Sequence, residues 1–267
     1  MSWPSLHRCL LMPALFIISC GCAGREADVR LEPVDARCAF PTGPDTVRHE
    51  GTAVLLRWEF EDDPVFARQV LPPDTAYLEY RAAIRADGAD RPWPVADLPA
   101  PASDAEVELW RAESVNAELA RTGRAGVVEP ITCLDALLFA HQNARVPQLE
   151  RPTEFLASVL VHEAEGERHI AVVFGAGQEM YPPKSVYGFD LVDDYVARGW
   201  RYAYALHNHT LQRNGDRLAL GTPALSTSDV QLTRSRVETS GLESARVTNG
   251  FYTYTVVSRE LGRLRSR

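Results

Sequence analysis

The stretch that most constrains this chain is an alternating strand that ends in two histidines, followed by a second polar motif. Residues 202–206 read Tyr-Ala-Tyr-Ala-Leu, and His207 and His209 come next, two residues apart. Because residues i and i+2 of a strand point to the same face, both imidazoles can converge on one point. Ser226 and Asp229 follow, three residues apart. Two imidazole nitrogens and one carboxylate oxygen make a three-ligand set with an open fourth position, the arrangement of catalytic rather than structural zinc.

Each half of this pattern also has a different interpretation. A His-x-His pair alone is a weak signal, and Ser226-x-x-Asp229 also matches a helix capping box with Asp in place of Glu. A cupin-type barrel uses His-x-His as well, but it expects a glutamate soon after the pair, and residues 210–225 contain none. The two motifs in this order therefore favour a metal site over either motif taken singly.

In this combination the sequence resembles the JAMM (JAB/MPN) metallopeptidase family, over roughly residues 130–257. The family signature includes an upstream glutamate at the start of a buried strand, and here Glu154 precedes an apolar run. Two features differ from the family pattern. Thr210 stands where proline is usual, and sixteen residues separate His209 from Ser226, several more than the usual spacing. We expect the longer loop to affect substrate specificity more than metal binding.

The resemblance implies a zinc hydrolase that cleaves peptide or isopeptide bonds. It implies zinc held by three ligands, His207, His209 and Asp229. Glu154 would be the general base, and Ser226 would donate a hydrogen bond to the developing oxyanion. The substrate expected from this resemblance is a peptide or protein of the cell envelope.

Two alternatives stay open at this point. Three other glutamates compete with Glu154 for the role of base, but they lie in a predicted hairpin turn, which holds a base poorly; they are Glu163, Glu165 and Glu167. The other alternative is a catalytically silent MPN-like lipoprotein that serves as a binding or scaffold module. Loss of the Glu154 carboxylate is typical of such scaffolds, so its presence favours the enzyme.

The first residues predict an exported lipoprotein. Residues 1–19 have a weakly basic start and an apolar run of ten residues, too short to cross a bilayer and typical of a secretory signal. The run ends Ile-Ile-Ser-Cys, which resembles the bacterial lipobox, so cleavage before Cys20 and lipidation of Cys20 are expected. The alternative is plain secretion with cleavage near Ala23-Gly24. The predicted location is the cell envelope, with the protein anchored to the membrane through Cys20.

Charge and cysteines narrow the partners and the compartment. The net charge of −8 argues against nucleic acid as a partner. In an exported protein disulfides persist, and with Cys20 lipidated three thiols remain. Cys38 and Cys133 both lie within sequence that is expected to fold, so we predict that they pair and that Cys22 stays free.

The pattern of elements predicts an α/β (α+β) fold with a central mixed sheet flanked by helices and a smaller N-terminal region. The expected division is a signal peptide (1–19), a tether (20–46), an N-terminal region of unknown role (47–125) and a JAMM-like metallopeptidase domain (126–260). Prolines between residues 92 and 101 are the best linker candidate.

Individual elements follow from apolar periodicity and from turn residues. We predict strands at residues 49–59, 169–174 and 200–206 and another after Glu154, helices at 104–121, 189–198 and 229–240, and a hairpin at Asn249-Gly250. Residues 77–84 and 127–144 fit either a strand or a helix. Within helix 104–121 the expected core positions are Val107, Trp110, Val115 and Leu119.

Overall fold

The computed structural model describes residues 32–93, 103–214 and 217–266. Within these ranges the chain forms ten strands and five α-helices. The strands are β1 (Asp45–Glu50), β2 (Ala53–Glu61), β3 (Val127–Pro130), β4 (Phe155–Ala164), β5 (Glu167–Ala176), β6 (Arg201–Asn208), β7 (Gln212–Asn214), β8 (Arg217–Ala219), β9 (Ser244–Thr248) and β10 (Tyr252–Val257). The helices are α1 (Thr75–Ala86), α2 (Asp104–Arg121), α3 (Cys133–Arg145), α4 (Phe189–Ala197) and α5 (Thr227–Ser240).

Eight strands form one sheet in the order β1-β2-β5-β4-β6-β9-β10-β3, and β7 pairs with β8 in a separate hairpin. Every pair of neighbours in the large sheet is antiparallel except β6 and β9, which are parallel. The predicted α/β (α+β) class is therefore confirmed. None of the described helices is long and apolar enough to cross a membrane.

Helices cover both faces of the sheet because its central strands are apolar on both sides. β4 is buried at every residue from 155 to 161, the continuous apolar run expected of a strand that is covered twice. Helices α1 and α3 pack on one face, through side chains such as Tyr77 and Phe139. Helices α4 and α5 and the end of α2 pack on the other face, where Tyr195 and Val230 are buried.

The structure does not follow the expected division of the chain. Strand β2 pairs with β5 from Val54 to Glu61, so it belongs to the central sheet rather than to a separate N-terminal region. The expected tether also differs from the structure where it is described, since β1 begins at Asp45 and Cys38 is buried. Residues from Glu32 onward form one compact unit. No local pattern encodes the pairing of β2 with a strand more than a hundred residues later, which explains the difference.

A disulfide joins Cys38 to Cys133, across 95 residues of sequence. Both cysteines are fully buried, and their Cα atoms lie 5.7 Å apart. The link ties the segment before β1 to the first residue of α3. The predicted signal peptide, the predicted lipidation site Cys20, and Cys22 lie outside the described residues.

Two element predictions are wrong in detail. The strand at residues 49–59 is in fact two strands, β1 and β2, because Gly51 adopts a positive φ of 59° and turns the chain. Helix α2 begins after its N-cap Ser103, as predicted, and the expected core residue Leu119 packs partly buried against the core, but the fully buried residues of the helix are Asn116 and Ala120. Val107 and Val115 are exposed, because only the last turns of α2 pack against the rest of the fold.

The two ambiguous stretches are resolved by capping and by tertiary contacts. Residues 77–84 lie in helix α1, whose N-cap Asp74 accepts a hydrogen bond from the backbone N–H of Tyr77. Residues 127–144 contain both elements, strand β3 followed by helix α3. Most of the expected proline linker lies outside the described residues.

Candidate metal centre

Strand β6 and helix α5 bring the three expected ligands together at one end of the sheet. His207 is the last residue but one of β6, and His209 comes directly after the last residue of the strand, Asn208. The backbone N–H of His209 donates to the carbonyl of Thr248, which extends the pairing of β6 with β9. Asp229 is the third residue of α5, so its side chain starts from the first turn of the helix.

Three ligand atoms from these residues form a nearly equilateral triangle. The Nε2 atoms of His207 and His209 are 3.2 Å apart, and Oδ2 of Asp229 lies 3.3 Å from the first and 3.4 Å from the second. Bonds to zinc of about 2.0–2.1 Å at tetrahedral angles separate ligand atoms by about 3.3–3.4 Å. The triangle therefore has the size of three corners of a zinc tetrahedron. Among the described residues no fourth His, Cys, Asp or Glu joins the group.

The backbone around His209 fixes which of its nitrogens faces the cluster. Nδ1 of His209 lies 2.7 Å from the carbonyl oxygen of Thr222, which can only accept, so Nδ1 carries the proton. The Nε2 lone pair is then directed at the cluster, as in metal sites whose histidine is oriented by a second hydrogen bond. Gly221 permits this approach, because a Cβ there would lie 2.6 Å from the Cβ of His209.

Asp229 is both a capping residue and a member of the triangle. Its Oδ2 accepts a hydrogen bond of 2.8 Å from the N–H of Ser226, and its own N–H donates to Oγ of Ser226 at 3.1 Å, so the capping box is complete. The same Oδ2 faces both imidazoles. The capping and ligand interpretations are therefore compatible, since the box holds the carboxylate where the histidines meet it.

Electrostatics within the cluster favour an anionic Asp229. Burial alone would raise the pKa of Asp229, but the charges and hydrogen bonds of His207 and His209 lower it well below its usual value. For His209 burial opposes the charged form, while contact with Asp229 and the charge of Glu154 raise its pKa to about 9. The cluster thus attracts a cation, which is a proton or a metal ion.

Glu154 faces the same cluster from the start of β4. The antiparallel register places Leu156 opposite His207, and continued by two residues it places Glu154 level with His209. Residues opposite each other in an antiparallel pair share a face of the sheet. Burial raises the pKa of Glu154, and the imidazoles of His207 and His209 oppose this rise while the charge of Asp229 adds to it. A raised pKa suits a general base near neutral pH.

The rival glutamates lie at the other end of β4. Glu163 lies opposite Arg168 in the antiparallel pair of β4 and β5, and the turn between these strands follows at Glu165. Glu163 is nine positions further along the chain than Glu154, about 30 Å at roughly 3.3 Å per residue of strand. Glu163, Glu165 and Glu167 are therefore far from the triangle of ligand atoms.

The hydroxyl of Ser226 is partly used by the helix cap. Its Oγ accepts the N–H of Asp229, and it lies 2.9 Å from Oγ of Ser228, where either hydroxyl can donate. Ser226 thus retains one proton beside the cluster. The structure brings it next to Asp229 but shows no partner that marks an oxyanion site.

Sequence reasoning missed the support that the N-terminal region gives to this site. Tyr77 and Arg81 of α1 both donate to the carbonyl of Gly250, each at 2.6 Å, and so anchor the Asn249-Gly250 turn. Asn249 in turn donates to the carbonyl of Gly221, the residue before Thr222. Residues 75–86 therefore support the loop that orients His209. No signal in the sequence pairs these distant segments.

The loop between His209 and Ser226 contains the paired strands β7 and β8. Leu211 and Leu220 are buried at the base of this hairpin.

Comparison of the chain with family models, curated proteins and solved structures found no match. In the site itself, two imidazoles and one carboxylate form a donor set that suits zinc.

Proposed function

We propose that this chain is a zinc-dependent hydrolase of peptide or isopeptide bonds, of the JAMM type that its motifs resemble. One observation carries the proposal: His207, His209 and Asp229 present their ligand atoms 3.2–3.4 Å apart, with Glu154 on the same face. A helix cap alone explains the position of Asp229 but not the convergence of two imidazoles on its oxygen.

The residues of the site divide the chemistry of hydrolysis between them. His207, His209 and Asp229 would hold the zinc ion, which when bound supplies the Lewis acidity that makes water a nucleophile near neutral pH. Glu154 accepts the proton of the attacking water and returns it to the leaving amine. Ser226 donates a hydrogen bond to the oxygen of the scissile carbonyl.

The rim of the site favours a polypeptide with apolar residues near the cleaved bond. Met180 and Tyr181 are 54% and 63% exposed, and the Met180 carbonyl accepts the N–H of Glu154 at 2.7 Å. Burial, and then the charges of Glu154 and Asp229, raise the pKa of Tyr181. Leu232, 38% exposed, lines a small cavity beside Asp229. Exposed apolar side chains on two sides of a reaction site suit apolar substrate side chains.

The proposed location is the cell envelope, with the protein attached to the membrane by a lipid on Cys20. The disulfide between Cys38 and Cys133 supports export, because disulfides persist in oxidising compartments. An envelope peptide or protein is therefore the substrate class that we propose.

Metal analysis and peptide hydrolysis together test the proposal. Purified protein should contain about one zinc per chain, and His207→Ala or His209→Ala should remove most of it. His169→Ala is the matched control, because His169 is on β5 and, among the described residues, belongs to no group of possible metal ligands. Glu154→Gln should keep zinc and lower kcat by about 10²–10⁴-fold on a peptide library, whereas Glu163→Gln should leave kcat unchanged.

Two outcomes would contradict the proposal. The proposed metal centre is refuted if purified wild type contains no zinc, or if both histidine variants keep as much zinc as wild type. Bound zinc without hydrolysis of any peptide by wild type favours the alternative, a binding or scaffold lipoprotein.

A further inference from the structure

Asn208 stands between the two histidines and points away from them, into the protein. Its side chain is 1% exposed, and it reaches across to the strand that follows Glu154. Oδ1 of Asn208 accepts the backbone N–H of Phe155 at 2.7 Å, and Nδ2 donates to the carbonyl of Thr153 at 2.9 Å. One amide therefore binds the residues immediately before and after Glu154.

A network of uncharged polar side chains continues from this clamp towards α3. Oγ1 of Thr153 accepts hydrogen bonds from Gln142 at 2.7 Å and from Gln148 at 2.9 Å, and Gln148 also accepts the N–H of Thr153 at 3.1 Å. The side chains of Gln142, Gln148 and Thr153 are all buried. Well-paired buried networks rigidify the backbone that they bind, and a partly paired network is costly. The bonds to Oγ1 hold the side chain of Thr153, whereas the bonds of the Asn208 amide hold the peptide groups on either side of Glu154.

We propose that Asn208 is a positioning residue that holds Glu154 towards the metal centre through the peptide groups on either side of it. This inference rests on the proposed function, in which Glu154 is the general base. Asn208 sits between His207 and His209 in the sequence. The same short stretch therefore directs the two imidazoles to the face that Glu154 shares and directs the Asn208 amide to the backbone on either side of Glu154. The positions of base and metal ligands are thereby fixed relative to each other.

The energetic reason is the sensitivity of proton transfer to geometry. A base must lie within hydrogen-bond reach of the proton that it removes, and a misplacement of about 1 Å can cost on the order of 10²-fold in rate. Glu154 itself lies just before the first residue of β4, where its N–H donates to the carbonyl of Met180. Asn208→Ala should therefore lower kcat by about 10- to 100-fold and leave KM and bound zinc nearly unchanged.

Thr153→Val is the matched control. It removes two hydrogen bonds to Oγ1 from the same buried network, as Asn208→Ala removes two at the clamp. It keeps the Thr153 carbonyl, so the clamp itself stays intact. Both variants should lose similar thermal stability, but only Asn208→Ala should lose kcat. If Asn208→Ala yields no folded protein, Asn208→Ser, which keeps a shorter hydrogen-bonding group, carries the same test.

The decisive experiment combines a double-mutant cycle with hydrogen exchange of the zinc-loaded protein. If Asn208 acts through Glu154, Asn208→Ala should cause no further loss of kcat in a Glu154→Gln background. Exchange of the Phe155 amide should accelerate in Asn208→Ala and stay slow in Thr153→Val. Additive losses of kcat, or an equal loss in Thr153→Val, would show a merely structural role and overturn the proposal.

The same measurements separate this inference from the proposed function. If zinc-loaded wild type cleaves no peptide, the proposed function fails and the positioning role fails with it. If wild type is active but the Phe155 amide exchanges at the same rate in Asn208→Ala as in wild type, only the clamp is refuted.

Discussion

Replacement of Asp229 by alanine, compared with the same change at Ser226, separates the two roles that the structure gives to Asp229. Ser226→Ala removes the side chain that caps α5 but keeps its backbone N–H, which still donates to Asp229 Oδ2. Asp229→Ala removes the reverse bond of the capping box and also one corner of the ligand triangle. Both variants should therefore weaken the helix terminus, but only Asp229→Ala should abolish zinc binding.

The magnitudes follow from capping energies and from linkage. Loss of an N-cap side chain costs about 0.5–2 kcal/mol, which is roughly 1–8 °C in Tm at about 2–4 °C per kcal/mol for a chain of this size. Zinc at a hundredfold excess over its Kd stabilises the folded state by about 2.7 kcal/mol. Without metal, Asp229→Ala should lose more stability than Ser226→Ala at pH 7, because protonated His209 also loses its counter-ion.

Thermal unfolding with added zinc and with excess chelator measures both effects. Wild type and Ser226→Ala should gain stability with zinc by a similar amount, corresponding to roughly 5–11 °C in Tm. Asp229→Ala should gain almost nothing. The reasoning is refuted if zinc stabilises Asp229→Ala as much as wild type, since Asp229 would then be a cap alone. Loss of the zinc effect in Ser226→Ala would equally refute the separation of the two roles.

Three further predictions concern proton linkage, the disulfide and lipidation. The folded-state pKa of His209, about 9 in the metal-free protein, exceeds the unfolded value of about 6.5. Its stabilising contribution should thus be complete below pH ~6.5 and disappear as pH rises through ~9. If the free energy of unfolding by urea depends on pH in the same way in His209→Gln as in wild type, this prediction is contradicted. Zinc binding at pH 7 should also release protons, seen by calorimetry in buffers of different ionisation enthalpy. Joint replacement of Cys38 and Cys133 by serine should lower the free energy of unfolding by about 2–5 kcal/mol. Free thiols at both positions in peptide maps of wild type would refute the disulfide. Cells fed an alkyne fatty acid should label the protein at Cys20, and label that persists in Cys20→Ser would refute lipidation there.

The sequence by itself determined the local parts of this protein. The spacing of His207 and His209 puts both on one face at the end of a strand, and Ser226-x-x-Asp229 starts a helix with a capping box. Glu154 precedes a run that is apolar on both faces, which marks a central strand. These features could be predicted from the sequence because each depends on the period of one element and on residues only a few positions apart.

Tertiary structure alone decided how distant segments combine. The addition of β1 and β2 to the sheet and the packing of α1 behind the Asn249-Gly250 turn depend on contacts across more than a hundred residues. The amide of Asn208, which reads in the sequence only as the residue between two histidines, binds both neighbours of Glu154 across a strand pair. Such contacts are set by strand register and by the packing of the whole core, and neither leaves a periodic signal along the chain.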